Sequence, residues 1–238
     1  LWFYLIIELL IYGFGFLVSR FIFRLDIIFS ILIGMACSFS NHVLFVLPIS
    51  VFIFDNAATL PIRGAISIDC FVLTLSTLWL DVVSAKRDGK AVNFKSYLKN
   101  PLVISLFICS PFVFGIVKSP VVFSRLAEFI AVSAAPLALF ASGILLSEKV
   151  SMRCVKIAWF IAGAKTILYP IVAFLVLLKL AGYSFESART ILMVAVAPVG
   201  LMPMTFASKY KVETSAIALS MLWTFIVSLV LIPLVAGL

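Results

Sequence analysis

The feature that most constrains this sequence is how rarely a charge interrupts it. Eight apolar segments run between charged residues, Pro or Gly, at about 1–19, 26–54, 64–83, 101–117, 120–146, 155–178, 188–207 and 214–236. A helix crossing the roughly 30 Å hydrocarbon of a bilayer needs about 20 apolar residues. These segments are too long for the roughly ten-residue alternating strands of a membrane barrel, so helices are the form expected. Only 12% of the 238 residues are charged and 64% are hydrophobic, whereas a soluble domain is about a quarter charged. That polar surface is too scarce for a water-soluble globule. A soluble enzyme, a nucleic-acid-binding module and a disordered chain are excluded. The predicted fold class is an all-α integral membrane protein with eight transmembrane helices.

The net charge of +8 fits a membrane protein that keeps Lys and Arg in its cytoplasmic loops. One alternating set of loops holds Arg20, Arg24, Lys86, Arg87, Lys90, Lys95, Lys99, Lys149, Arg153, Lys156, Lys209 and Lys211, which makes 12. The other holds Arg63, Lys118, Arg125, Lys179 and Arg189, which makes 5. The bias places the first set in the cytoplasm and both ends of this chain outside, with the lipid bilayer as the protein's environment. Residues 84–100 form the one long polar connection, read as a solvated basic linker. It separates spans 1–83 from a second group at 101–238. Asn100-Pro101 has the form of a helix start, with an Asn cap and Pro in the first turn. Cys37, Cys70, Cys109 and Cys154 form no C-x-x-C pair, so neither a disulfide framework nor a zinc site is expected.

Two segments contain helix-breaking patterns. The second holds Ser38, Ser40, Asn41 and His42, then Pro48. The seventh holds Pro198, Gly200 and Pro203. Pro removes a backbone donor and clashes with the preceding turn, while Gly adds backbone freedom. Asn41 lies 15 residues past Asp26, about 22 Å of helix. Pro198 lies nine past Arg189, about 14 Å. Both breaks fall at mid-membrane depth, where interrupted backbone is tolerated only if protein or a watery cavity satisfies it. Spans two and seven are five apart, so they run in opposite directions. Matched interrupted spans in inverted repeats point to a transporter binding site; two unrelated proline kinks are the plainer alternative. An offset of five implies five-span repeats. Only three spans precede the linker, so two further spans, about 60–75 residues, are expected ahead of Leu1.

At these residues the sequence resembles the auxin efflux carrier family, which includes plant auxin carriers and bacterial carriers described as malonate transporters. Asn41 followed by Pro48 resembles its first crossover, N-x6-P. Ala197-Pro198-x-Gly200-x-x-Pro203-x-x-Phe206-Ala207-x-x-Tyr210 resembles its second. Asn100-Pro101 resembles the start of its sixth span and Leu137–Gly143 its seventh. The resemblance implies ten spans in two inverted repeats with two broken crossover helices. It also implies a transport domain moving past a scaffold, and a homodimer. The chain departs from the family at Val46, where Gly is frequent, and at Val199, where plant members often carry Gln.

The residues expected to meet substrate are Asn41, Pro48, Pro198, Gly200, Pro203 and Lys165. Half-helix N-termini at the breaks present free N–H groups to an anionic carboxylate. The Asn41 amide donates and accepts at once; its other reading is a staple for the broken backbone. Lys165 sits near mid-span, where an unpaired charge costs about 2.5–3.5 kcal/mol even on the lenient insertion scale. It reads either as a countercharge for an organic anion or as a structural partner of Glu8 or Asp69. His42, the single histidine, Asp69 and Glu8 are the candidates for proton coupling. For His42 a structural hydrogen-bonding role competes, and for Asp69 an interfacial cap. Ser38, Ser40 and Thr205 either line the cavity or bond within their own helices.

The function expected is a secondary carrier of small organic anions, mono- or dicarboxylates, working by elevator-type alternating access. The membrane potential or a proton gradient would drive it. The membrane expected is a bacterial inner membrane. No G-x-x-x-x-G-K-[ST], H-E-x-x-H or G-x-S-x-G pattern is present, so no cofactor, metal or catalytic residue is expected. A non-transporting relic or assembly subunit, and an intramembrane enzyme, are the competing readings.

Overall fold

A computed structural model describes residues 2–54, 56–89, 104, 108–109, 111–112, 117–146 and 152–237, and all regular structure among them is helical. Helix α1, Trp2–Leu17, runs on into a π turn, Val18–Ile22. The Asp26 carboxylate then accepts the Ile28 N–H at 3.0 Å and caps α2, Ile27–Ser38. After an interruption, a π turn at His42–Val46 leads into α3, Leu47–Ile53. Helix α4 is Leu60–Arg87 and α5 is Val121–Leu146. The next rod comprises α6 (Met152–Gly163), a π turn (Ala164–Leu168), α7 (Tyr169–Phe174) and a second π turn (Leu175–Leu180). Helices α8 (Phe185–Ala195), α9 (Met202–Lys209) and α10 (Ser215–Ala236) complete the order.

Four helical stretches among the described residues are long and apolar enough to cross a membrane: Trp2–Ile22, Leu60–Arg87, Met152–Leu180 and Ser215–Ala236. The expected segments 26–54 and 188–207 are instead pairs of short helices with extended backbone between them. The segment at 120–146 is α5. The segment at 101–117 lies for the most part outside the described residues, as do linker residues 90–100 and the Asn100-Pro101 start.

Pro48 and Pro170 each sit in the first turn of a short α-helix that follows a π turn. A proline cannot donate to the carbonyl four residues back and its ring crowds that carbonyl. The wider π turn relieves the crowding and keeps the rod continuous. Pro48 therefore lies inside a helical segment, and the interruption is at Phe39–Asn41, where Asn41 marks it in the sequence. Helix α4 starts four residues before the expected 64, with Pro61 in its first turn. Asp69 is consequently about 14 Å along α4 at 1.5 Å per residue.

The chain divides into two compact units, Leu1–Asp69 with Ala141–Leu238, and Cys70–Phe140. In the second, Ser76 and Thr77 are buried and donate to the Val72 and Leu73 carbonyls, both at 2.8 Å. These bonds keep the hydroxyls satisfied within α4. In the first, α1 and α2 approach through Gly15 and Gly34. A Cβ on Gly34 would stand 2.8 Å from the Tyr12 carbonyl oxygen, and one on Gly15 would stand 3.1 Å from the Gly34 Cα. Such small-residue seams let helices pack tightly where lipid removes the hydrophobic drive between them. Trp159 on α6 and Trp223 on α10 stack with ring centroids 4.3 Å apart. Large apolar side chains such as Trp2, Phe52 and Val230 are exposed, a surface suited to lipid rather than water.

Gly34→Ala should lower stability by about 1–3 kcal/mol, since the added carbon meets rigid backbone. Gly13→Ala, with nothing within 4 Å of its Cβ, should be neutral or stabilising by up to about 1 kcal/mol. Thermal unfolding of the purified protein in detergent compares the two.

Candidate functional site

The candidate site is built from two places where a helix stops inside the first unit. Helix α2 ends at Ser38, and Phe39 is extended at φ −65°, ψ 128°. Helix α8 ends at Ala195, and α9 does not begin until Met202. The two gaps meet as a single antiparallel bridge between Ser40 and Val199. The Asn41 N–H donates to the Pro198 carbonyl at 2.9 Å, and the Gly200 N–H donates to the Phe39 carbonyl at 3.0 Å. A Cβ on Gly200 would stand 3.3 Å from the Ser40 carbonyl oxygen, so the close approach favours glycine there.

Stopping a helix frees backbone groups that need new partners. Ser40 Oγ donates to the Val194 carbonyl at 2.8 Å, and Ser228 Oγ to the Val196 carbonyl at 2.7 Å. The Val199 N–H donates to Thr224 Oγ1 at 3.1 Å. Lys165 Nζ donates to the Ser38 carbonyl at 3.2 Å and to Ser40 Oγ, and it lies 3.9 Å from the centroid of the Tyr169 ring. Lys165 is fully buried. It projects from the π turn beside Pro170, and its cation closes the carbonyl end of α2, where the helix dipole is negative.

A second cluster lies close by. The Tyr4 hydroxyl donates to Asp69 Oδ1 at 2.8 Å and stands 3.0 Å from His42 Nε2. His42 Nδ1 is 3.1 Å from Asp69 Oδ2. Helices α1 and α4 and the π turn after the first break each supply one member. Glu8, one turn along α1 from Tyr4, has no solvent exposure, and neither carboxylate oxygen has a hydrogen-bond partner. It lies in electrostatic reach of Asp69 and Lys165.

The structure therefore brings together Asn41, Pro198, Gly200 and Lys165 at the crossing, with His42, Asp69 and Glu8 beside them. Asn41 is half-buried, and no described hydrogen bond engages its side-chain amide. Pro203 lies in the first turn of α9, and Pro48 lies further along its own segment. Lys165 bonds directly to Ser38 and Ser40, whereas Glu8 and Asp69 act on it at longer range. Ser38 and Thr205 bond to carbonyls of their own chain turns, Met35 and Leu201; Ser40 does not. Sequence reasoning missed Tyr4, Thr224, Ser228 and Tyr169. Their positions in apolar helices carry no local mark, and their contacts with other elements come only from the tertiary fold. Among the described residues no group of three or more His, Cys, Asp or Glu is arranged to hold a metal ion.

A family model described as membrane transport protein matches residues 83–236. No curated protein matches the chain.

Thr224→Val strands the buried Val199 N–H and Ser228→Ala the Val196 carbonyl. Each should cost about 1–3 kcal/mol. Thr205→Ala, on an exposed side chain, should stay within about 0.5 kcal/mol. Unfolding of the three variants in detergent tests the ranking.

Proposed function

The chain belongs to the membrane transport protein family, the family of auxin efflux and malonate-type carriers, and from that premise we propose that it is a secondary carrier of small organic anions. The substrates are mono- or dicarboxylates of malonate-like or auxin-like form. The observation that carries this reading is the crossing itself: two interrupted segments, bound to each other and buried, beside a buried cation. Lys165 supplies positive potential in a low-dielectric setting. The half-buried Asn41 amide supplies a donor and an acceptor that no hydrogen bond to another described residue engages. Helical segments begin at His42 and Met202, just after the two halves of the bridge, and helix N-termini favour anions.

In this reading the crossing moves as one body past a scaffold, in an elevator-type cycle driven by the membrane potential or a proton gradient. The spans at 1–83 and 101–238 are two inverted repeats flanking the 84–100 linker, and the carrier is a homodimer. The membrane in this reading is a bacterial inner membrane, and the charge bias favours both ends of this chain on the non-cytoplasmic side.

The test is uptake of labelled malonate and of labelled indole-3-acetate by the purified protein in liposomes. The wild type should take up at least one of them well above protein-free liposomes. Asn41→Ala and Lys165→Gln should each reduce the rate by about tenfold or more, the equivalent of one lost charge-assisted hydrogen bond. Uptake no faster than in protein-free liposomes, for a panel of mono- and dicarboxylates, rejects the reading and favours an assembly subunit.

A further inference from the structure

We propose that Tyr4, His42 and Asp69 form a one-proton site that couples anion movement to protons, loaded through the cavity behind Tyr4. The inference rests on the carrier reading and specifies its coupling ion and stoichiometry.

The first argument counts hydrogens. The cluster has three close polar contacts: Tyr4 to Asp69, Tyr4 to His42 Nε2, and His42 Nδ1 to Asp69. Each needs one hydrogen. Tyr4 brings one and a neutral imidazole brings one. A neutral histidine and an ionised aspartate therefore fill two contacts and leave two lone pairs facing each other. One further proton, on Asp69 or on the imidazole, fills all three.

The second argument counts charges. The titratable and charged groups facing one another here are Tyr4 and Glu8 from α1, Cys37 from α2, His42, Asp69 from α4, and Lys165 and Tyr169 from the rod at Met152–Leu180. All seven are buried. Glu8, fully buried with neither oxygen bonded, counts as a neutral acid, so Asp69 and Lys165 balance each other and one added proton leaves one uncompensated positive charge. A net charge without water is costly. An incoming carboxylate balances that charge, so the proton and the anion are favoured together.

The third observation is a route. A cavity of about 350 Å³ is walled by Phe3, Tyr4, Gly64, Leu177, Tyr183 and Ser187, among others. It has room for several waters at about 30 Å³ each. Tyr4 belongs to both the cavity wall and the cluster, so the proposed proton path runs past its side chain.

Coupling follows from proximity. An anion arriving at the crossing meets a balanced cluster before proton loading and one with an uncompensated positive charge after it. Proton and anion binding are mutually favourable, and by linkage each tightens the other. The two travel together in one direction.

The test uses the purified protein in liposomes with the membrane potential clamped at zero by potassium and valinomycin. The probe is labelled malonate. With a pH gradient of one unit, alkaline inside, one proton per anion gives about tenfold accumulation. Asp69→Asn removes a negative charge and permanently supplies an N–H, so it imitates the loaded site. It should keep malonate exchange and lose accumulation. Tyr4→Phe should slow accumulation while exchange persists. Wild-type exchange that ignores the pH gradient, or accumulation by Asp69→Asn equal to wild type, overturns the proposal and leaves the carrier reading intact. Absence of malonate exchange by wild type is a failure of the carrier reading for that anion, and a second measurement then decides the proton site. His42 is the single histidine, so ¹⁵N-histidine labelling gives one imidazole spectrum. That spectrum should change as protons load the cluster with falling pH, and the change should shift or vanish in Asp69→Asn and Tyr4→Phe. An identical, pH-insensitive spectrum in all three proteins overturns the proposal.

Discussion

The fold turns on a problem of backbone chemistry. Where α2 and α8 stop, carbonyls and N–H groups that helices would satisfy are released in a buried, apolar setting. Leaving one unpaired there costs more than any single packing contact returns. The chain satisfies these groups against each other and against a few side chains. Asn41 with Pro198, and Gly200 with Phe39, close the bridge. Ser40, Thr224, Ser228 and Lys165 close the remainder. Neither break is stable without the other, so the two form one structural unit.

That unit fixes the surrounding architecture. Ser40 and Lys165 must reach across from different helices, which requires α2 and the rod at Met152–Leu180 to lie close. The π turn that carries Lys165 comes from the need to accommodate Pro170. The glycine seam between α1 and α2 brings α1 in, and with it Tyr4 and Glu8. The polar cluster is therefore a consequence of the same packing that closes the breaks. Function and fold share residues: the cation that caps α2 is also the positive charge proposed to attract an anion.

Much of this was legible in the sequence because its signals are local. Asn41 and the Pro198–Pro203 pattern stand out inside apolar stretches, and charged residues such as Lys165, Glu8 and Asp69 are conspicuous there. Asn41 marks the first break, and the chain opens at Phe39–Asn41; Pro48 also looks like a breaker, yet a π turn absorbs it. The start of α4 was not legible, because Arg63 reads as a boundary whereas α4 begins at Leu60 and carries Arg63 within its first turns. Tyr4, Thr224 and Ser228 were invisible for another reason. A hydroxyl in an apolar helix ordinarily bonds its own turn, as Thr205 and Ser76 do. Only a non-local break gives such a residue a different partner.

The central claim is that the two interruptions meet face to face. Ser40 and Val199 are paired, with the two bridge hydrogen bonds flanking them, so they form the narrow, non-hydrogen-bonded type of antiparallel pair. Their separation is expected to lie within disulfide reach. The direct measurement is oxidative cross-linking of Ser40→Cys with Val199→Cys, after replacement of Cys37, Cys70, Cys109 and Cys154 by Ala. A protease cut between positions 40 and 199 then reports the bond on a non-reducing gel. The account predicts that most of the protein stays joined until it is reduced. Fragments that separate under oxidising conditions, from a doubly substituted protein whose thermal unfolding matches that of the parent, would contradict it.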